Sequence, residues 1–451
     1  MQNKSLFRTV IGIAVPVGLQ SMLQSSFAMV DQLMVGQLGS AAVAAVEAAG
    51  RPAFIFSVAA GAAAVAGVMI SQYLGMKDDG MADRSLCVNL AAVAALALLF
   101  MGLCLALPGR IVGLFVRDDA SVLALGREYL VRIAWTYLPM GIASVLSVMI
   151  RCDGRAAYTL YAGFFSAAVN TALNYVLIFG RFGAPALGVA GAAAASVVSQ
   201  LVNVLLIMSM FYRVRGRGRR FCLSFDLGGE NWRLFARMLL PVLVNEVLWS
   251  VGQSVNSSIY GHISTGALAA MSLTGPVQGL FTGALGGVSQ AAGILIGKRL
   301  GAREYDEAYR EAKALLRYGL AGSLALSAVL IWLRWPYVGL FNVGAEARSG
   351  AAALLLAFAV LAPVKVANMI LGGGVIRSGG KTGYIMVIDM IGTWLVGLAL
   401  GLVTAFVLRL PVQWVYFILS QEELVRLGLS FWIFRRRTWM GTIPSNQRQS
   451  L

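Results

Sequence analysis

Asp31 is the lone acid in an otherwise apolar stretch, Pro16 to Ala45, that reads PVGLQSMLQSSFAMVDQLMVGQLGSAAVAA. A carboxylate at bilayer depth costs about 2.5 to 3.5 kcal/mol on insertion scales, so an acid kept there is a candidate for handling an ion or a substrate. On a helix turning about 100° per residue, Gln20, Gln24 and Asp31 fall within about 40° of one another. They form one polar stripe, expected to face a bundle interior or a wet cavity. A second stripe, Asn245, Glu246, Trp249, Gln253 and Asn256, occupies about 100° of arc in a later apolar stretch, with Glu246 as its acid. Asn170 and Asn174 stand one turn apart, as do Ser196 and Gln200. Each pair has oxygens that suit a hard cation or interhelical hydrogen bonds, and spacing leaves both readings open. Glu47 and Arg51, at i and i+4, read as a neutralising pair. Lys365 and Asp389 are ionisable and either pair or gate substrate. Trp249 and Trp394 offer apolar walls for aromatic cations or ordinary packing.

These side chains need a lipid-embedded scaffold. The 451 residues are 59% hydrophobic and 12% charged, with a mean hydropathy of +0.77, values that soluble domains do not approach. Twelve apolar spans are expected near 9–36, 42–75, 85–107, 120–150, 158–180, 187–212, 234–262, 266–297, 312–333, 349–376, 383–408 and 411–434, each able to cross a hydrocarbon core of about 30 Å. The apolar run after Arg8 carries Pro16 and glutamines and reads as the first span rather than as a cleavable signal. Lys and Arg gather at the N-terminus, after the even-numbered spans and in the C-terminal tail, which places both termini in the cytoplasm and the chain in the cytoplasmic (inner) membrane. Arg213, Arg215, Arg217, Arg219 and Arg220 therefore read as a topology signal in a central loop, and nucleic acid is not expected as a partner.

Several chemistries find no support. Cys87, Cys104, Cys152 and Cys222 have no CxxC spacing, so neither a disulfide framework nor a zinc site is indicated. His262 is the single histidine, and no nucleophile and base stand at recognisable spacing, so an enzyme is not expected. Gly372 to Thr382, GGGVIRSGGKT, imitates a phosphate-binding loop but has Val375 where a Walker motif requires glycine.

The chain repeats itself. At a shift of 225, Pro16, Ser25, Gly36, Gly50 and Phe56 meet Pro241, Ser250, Gly261, Gly275 and Phe281; at 226, Arg151, Gly154 and Tyr158 meet Arg377, Gly380 and Tyr384. Each copy holds six spans, an even number, so both enter the membrane in the same direction, related by a pseudo-twofold axis along its normal. The expected organisation is an N-terminal lobe over 1–212, a basic cytoplasmic linker over 213–233, a C-terminal lobe over 234–434 and a cytoplasmic tail over 435–451. Asp31 meets Asn256, so the lobe itself does not require the acid.

The segments AMVDQLMVGQLGSAAVAA, ISQYLGMKD, NTALNYVLIFGRFG followed by LGVAGAAAAS, and RSGGKT resemble the multidrug and toxic compound extrusion (MATE) family through nearly the whole chain. The resemblance implies an all-α membrane protein of twelve transmembrane helices in two six-helix lobes around a V-shaped central cavity. It implies an antiporter that exports organic cations or amphipathic compounds in exchange for protons or sodium ions, needing no cofactor and acting as a monomer. It puts Asp31 on the family's acidic position, and Asn170, Asn174, Ala192 and Ser196 on positions that complete a cation site. If the ion is sodium, Asp31, Asn170 and Asn174 are its ligands. Many members have Asp where this chain has Asn174. Glu246 lies on the helix that carries a functional Glu in many members. A lipid-linked oligosaccharide flippase of the same superfamily is the alternative, and it calls for a cationic cavity that Asp31 and Glu246 oppose.

Overall fold

The computed structural model describes residues 2–59, 63–115, 119–215, 229–341 and 344–444; Arg217, Arg219, Arg220, Cys222 and the end of the tail lie outside them. Among the described residues all regular structure is helical. Ten stretches are single runs long and apolar enough to cross a membrane. They comprise α1 (Gln2–Gly36), α4 (Asp79–Ala106), α6 (Ala120–Ile133) with α7 (Tyr137–Cys152), α8 (Ala156–Phe179), α9 (Val189–Arg215), α10 (Gly229–Ile263), α11 (Thr265–Gly301), α12 (Tyr305–Gly339), α13 (Ala345–Asn368) and α14 (Thr382–Asp389) with their continuations. The other two expected spans are divided into α2 (Ser40–Ala59) and α3 (Ala63–Gly75), and α16 (Val412–Leu419) and α17 (Glu422–Arg436). A short α5 (Pro108–Gly113) connects α4 to α6, and α15 (Leu398–Leu402) lies in the continuation of α14. That continuation and the end of α13 are π-helical over Met369–Ile376, Met390–Gly397 and Val403–Val407, a wide winding that recurs at functional sites.

Local chemistry sets the helix ends. The Asp119 carboxylate accepts from the amides of Ser121 and Val122 at 2.9 and 3.2 Å, and Ser264 Oγ accepts from the Ala267 amide at 2.9 Å, so each caps the helix that follows. Gly180 ends α8 in the left-handed region (φ 66°), and a Cβ there would also lie 2.8 Å from the Ala186 amide nitrogen. Glycine is the residue that fits both demands.

The chain divides into two compact units, one of residues 22–70 and 79–227, the other of 1–21, 71–78 and 228–451. In the first, Phe56 packs on Tyr137 and Phe100 with ring centroids 5.0 and 5.7 Å apart. A Cβ at Gly191 would meet the Leu177 carbonyl oxygen at 2.5 Å, so α8 and α9 approach backbone to backbone. This is the small-residue packing that membrane helices use, and it sets the asparagines of α8 beside the serines of α9.

Arg215 departs from its reading as a loop charge. It is the last residue of α9, 7% exposed, and its guanidinium holds Asp153 through Nε at 2.9 Å and Nη2 at 3.3 Å, pairs with Asp83, and reaches Asp79 at 3.6 Å. A planar fork of five donors serves several carboxylates at once.

The second unit takes in two pieces of the first sequence copy, so its limits differ from the expected lobes. Glycine contacts supply the reason. A Cβ on Gly18 would sit 2.6 Å from the Ala284 carbonyl oxygen, and one on Gly287 or Gly75 would collide with the carbonyl of Ala14 or Lys298. Gln72 is fully buried; its Nε2 donates to the carbonyls of Ser378 (2.7 Å) and Gly441 (3.1 Å), and its Oε1 accepts from the Ile443 amide (2.8 Å). The described part of the expected tail is thus built into this unit. Trp439 is fully buried and stacks on Phe434 at 5.9 Å.

Candidate ion and substrate sites

In the first unit, α1, α8 and α9 bring the Asp31 set together. Asn174 Nδ2 donates to the Asp31 carboxylate and, at 3.2 Å, to Asn170 Oδ1. Asn170 Nδ2 reaches Ser196 Oγ and Ser199 Oγ, each at 3.4 Å. With its amide turned over, the same group donates to both Asp31 oxygens at 2.8 and 3.1 Å. Asn170 therefore stands between the acid and the α9 serines in either orientation. Asn174 is 1% exposed, and its Oδ1 is buried without a hydrogen-bond partner. A buried carbonyl oxygen left unpaired is costly, and this one lies beside the acid among further neutral oxygens. Carboxylate, amide and hydroxyl oxygens together suit a proton or a hard monovalent cation. Among the described residues no three His, Cys, Asp or Glu side chains gather into a metal cluster.

A cavity of about 520 Å³ opens on Asp31 and is lined also by Glu47, Arg51, Tyr129, Ala192 and Ser196. The Glu47 and Arg51 ion pair forms at 3.2 Å with both side chains about half exposed, worth little to stability, and it stands on the wall of this cavity. Tyr129 carried no signal in the sequence, because one aromatic in an amphipathic helix looks like packing. Gln20 and Gln24 are not among the lining residues; Gln24 is exposed, and Gln20 belongs to the other unit. Gln200 Oε1 is buried without a partner, and Gln200 does not join the Asp31 set.

In the second unit two cavities of about 320 and 380 Å³ share Gln253, Lys365, Glu422 and Glu423 as wall residues. Trp249 lines the second and Asn256 the first. Asn245 is buried and donates to Asp389 at 2.9 Å. Glu246 is half-buried and lines neither cavity, nor does Trp394. Asp389 pairs with Arg426, which also reaches Glu423 at 3.6 Å; Asn368 Nδ2 donates to Glu423 at 2.7 Å. Lys365 and Asp389 thus face the second cavity together but do not pair. Sequence reading missed Glu422, Glu423 and Arg426. Their signal was Ser420 to Glu423, SQEE, which interrupts the twelfth apolar run where α16 gives way to α17.

The comparisons with known proteins agree with this architecture. The family model described as MatE matches residues 16–176 and again 241–403, two copies whose starts lie 225 residues apart, as the internal repeat requires. A probable multidrug resistance protein NorM of Rhizobium meliloti (strain 1021) is 29% identical over 403 residues, covering 87% of this chain and 85% of its own. Multidrug resistance protein MdtK of Edwardsiella ictaluri (strain 93-146) is 25% identical over 407 residues, covering 88% and 87%. A solved structure described as the outward-facing conformation of a multidrug resistance MATE family transporter of the MOP superfamily superposes with a TM-score of 0.86 at 17% identity over 95% of each chain, a likeness of fold. With the twelve helical segments, the two sequence copies and a family model matched twice, the chain belongs to the MATE family of membrane transporters.

Proposed function

We propose that this protein is a secondary antiporter that exports organic cations or amphipathic compounds from the cytoplasm in exchange for a proton or a weakly held sodium ion, alternating between inward-open and outward-open states. The observation that carries the reading is Asp31, held by Asn174 on the wall of a cavity that has neutral oxygens around the acid. Proton-bound or cation-bound, Asp31 is neutral and tolerates burial; ionised and empty, it makes the change of state costly. Ionised and open to the cavity, it attracts a cationic substrate. One acid therefore links the two fluxes. The multidrug names of the relatives support the substrate class. The distribution of basic residues supports the cytoplasmic membrane with both termini inside, and the chain acts as a monomer. A flippase reading gains nothing from the second unit, where Lys365, Arg377 and Arg426 are matched by Asp389, Glu422 and Glu423.

Everted vesicles test the coupling. Efflux measured against sodium at fixed pH, and against pH at fixed sodium, is expected to follow the proton gradient or to need high sodium, because a single carboxylate with amide partners binds sodium weakly. Saturation of transport at low sodium with no response to pH would overturn this assignment.

A further inference from the structure

A charged groove of the second unit stands apart from the ion and substrate cavities. Its walls come from the start of α1, the end of α3, the end of α11 and the start of α12, and it encloses about 700 Å³. Five cations and three carboxylates line it. The carboxylates are already met, because Arg299 holds Glu311 at 2.7 Å and pairs with Glu304, while Arg310 pairs with Glu307. Lys298, Lys313 and Arg317 remain in excess, with no carboxylate partner among the described residues; the Lys313 amine lies over the Tyr309 ring at 4.3 Å. Lys298 is half-buried, and its backbone is fixed by the close approach of Gly75.

The excess charge is arranged by depth. On α12, Arg310, Lys313 and Arg317 fall within about 60° of one another and climb about 10 Å along the helix axis. All three are exposed. Arg317 already lies inside the apolar span expected over 312–333, where a long side chain reaches back to the headgroup level. Next to it, Phe7 of α1 meets Tyr318 of α12 edge-on at 5.3 Å. Phe7, Ile11 and Val15, one turn apart and all exposed, carry an apolar track onward along α1. A soluble anion would use only the polar end of this arrangement. A lipid uses both.

We infer that this groove holds an anionic phospholipid, its phosphate set among Lys298, Lys313 and Arg317 and an acyl chain laid along Phe7, Ile11 and Val15. A phosphate accepts several charge-assisted bonds at once, and basic pockets between transmembrane helices at the cytoplasmic surface take such headgroups. The orientation proposed above puts the groove in the cytoplasmic leaflet. A choline headgroup is disfavoured, since it brings a further cation into a groove already in positive excess.

Lipid competition on the purified full chain decides the point. Offered phosphatidylglycerol and phosphatidylcholine in equal amounts in mixed micelles, the protein is expected to retain the anionic lipid about tenfold over the other. Native mass spectrometry reads this as a ratio within one sample, so loss of folded protein does not enter it. Lys313→Gln with Arg317→Gln should bring the ratio to parity, whereas Lys313→Arg with Arg317→Lys, which keeps both charges, should restore most of it. Removing two cations outside the groove, Arg155→Gln with Arg237→Gln, should leave it unchanged. Parity in the unmodified protein, or an unaltered ratio in the Lys313→Gln, Arg317→Gln variant, would overturn the inference. Displacement of phosphatidylglycerol by millimolar inorganic phosphate would overturn it too, and would make the groove a site for a soluble anion. Micelles have no sidedness and carry no gradient, so failure here is distinguishable from failure of the proposed orientation or of antiport.

Discussion

Asp31→Asn is expected to bring gradient-driven efflux down to the background of vesicles without the protein, while expression, monodispersity and thermal stability stay close to the parent. Asparagine has nearly the same volume, accepts from Asn174 Nδ2 through its own carbonyl, and fits between α1 and α8 as the acid does. It carries no charge in any state. In the proposed antiport cycle, the carrier then loses the difference between a loaded, neutral site and an empty, charged one, and with it the penalty that would forbid uncoupled turnover. Asp31→Glu keeps the charge but pushes it past Asn174, and partial activity is expected. Drug resistance at the parental level in cells carrying Asp31→Asn would remove Asp31 from the mechanism.

The second large effect is structural. Arg215→Met is expected to destabilise the first unit by about 3 to 5 kcal/mol, the usual cost of stripping one partner from a buried charge set. Asp83 and Asp153 are the carboxylates that lose most, their side chains being 9% and 18% exposed; Asp79, at 39%, rehydrates readily. The melting temperature should fall by on the order of 10 °C. Arg215→Lys keeps the charge yet lacks the fork that holds Asp153 by two nitrogens while pairing with Asp83, so it should recover only part of the loss. An unchanged melting temperature in Arg215→Met would mean that the clamp bears no weight.

These two residues also mark how far the sequence can be read. Asp31 was visible because an acid in an apolar run violates the surrounding pattern, and Asn170, Asn174 and Ser196 were visible because one-turn spacing puts side chains on one face of a helix. Periodicity also revealed the spans and the repeat, which depend on local composition and on self-similarity alone. Arg215 looked like one more basic residue in an arginine-rich connection; its burial depends on Asp83 and Asp153, which lie 132 and 62 residues away. The same holds for Gln72, whose partners Ser378, Gly441 and Ile443 lie more than 300 residues on. No window of sequence reports such pairing. The π-helical stretches and the break before Glu422 are changes of backbone winding inside spans identified by their overall hydropathy, so Glu422, in the middle of the twelfth span, was passed over. Glu246 shares a stripe with Trp249, Gln253 and Asn256, yet lines neither of the two cavities they serve, because a helical stripe about 100° wide can face more than one neighbour.

If Asp31 exchanges its cation for substrate, substrate binding to the purified protein must release that cation. In weakly buffered solution with a pH dye and a sodium electrode, a saturating cationic substrate should displace about one proton or sodium ion per molecule bound, since linkage makes the two occupancies of a single acid exclude each other. Asp31→Asn should release none. Release from Asp31→Asn equal to that of the unmodified protein would mean that the displaced cation is held elsewhere.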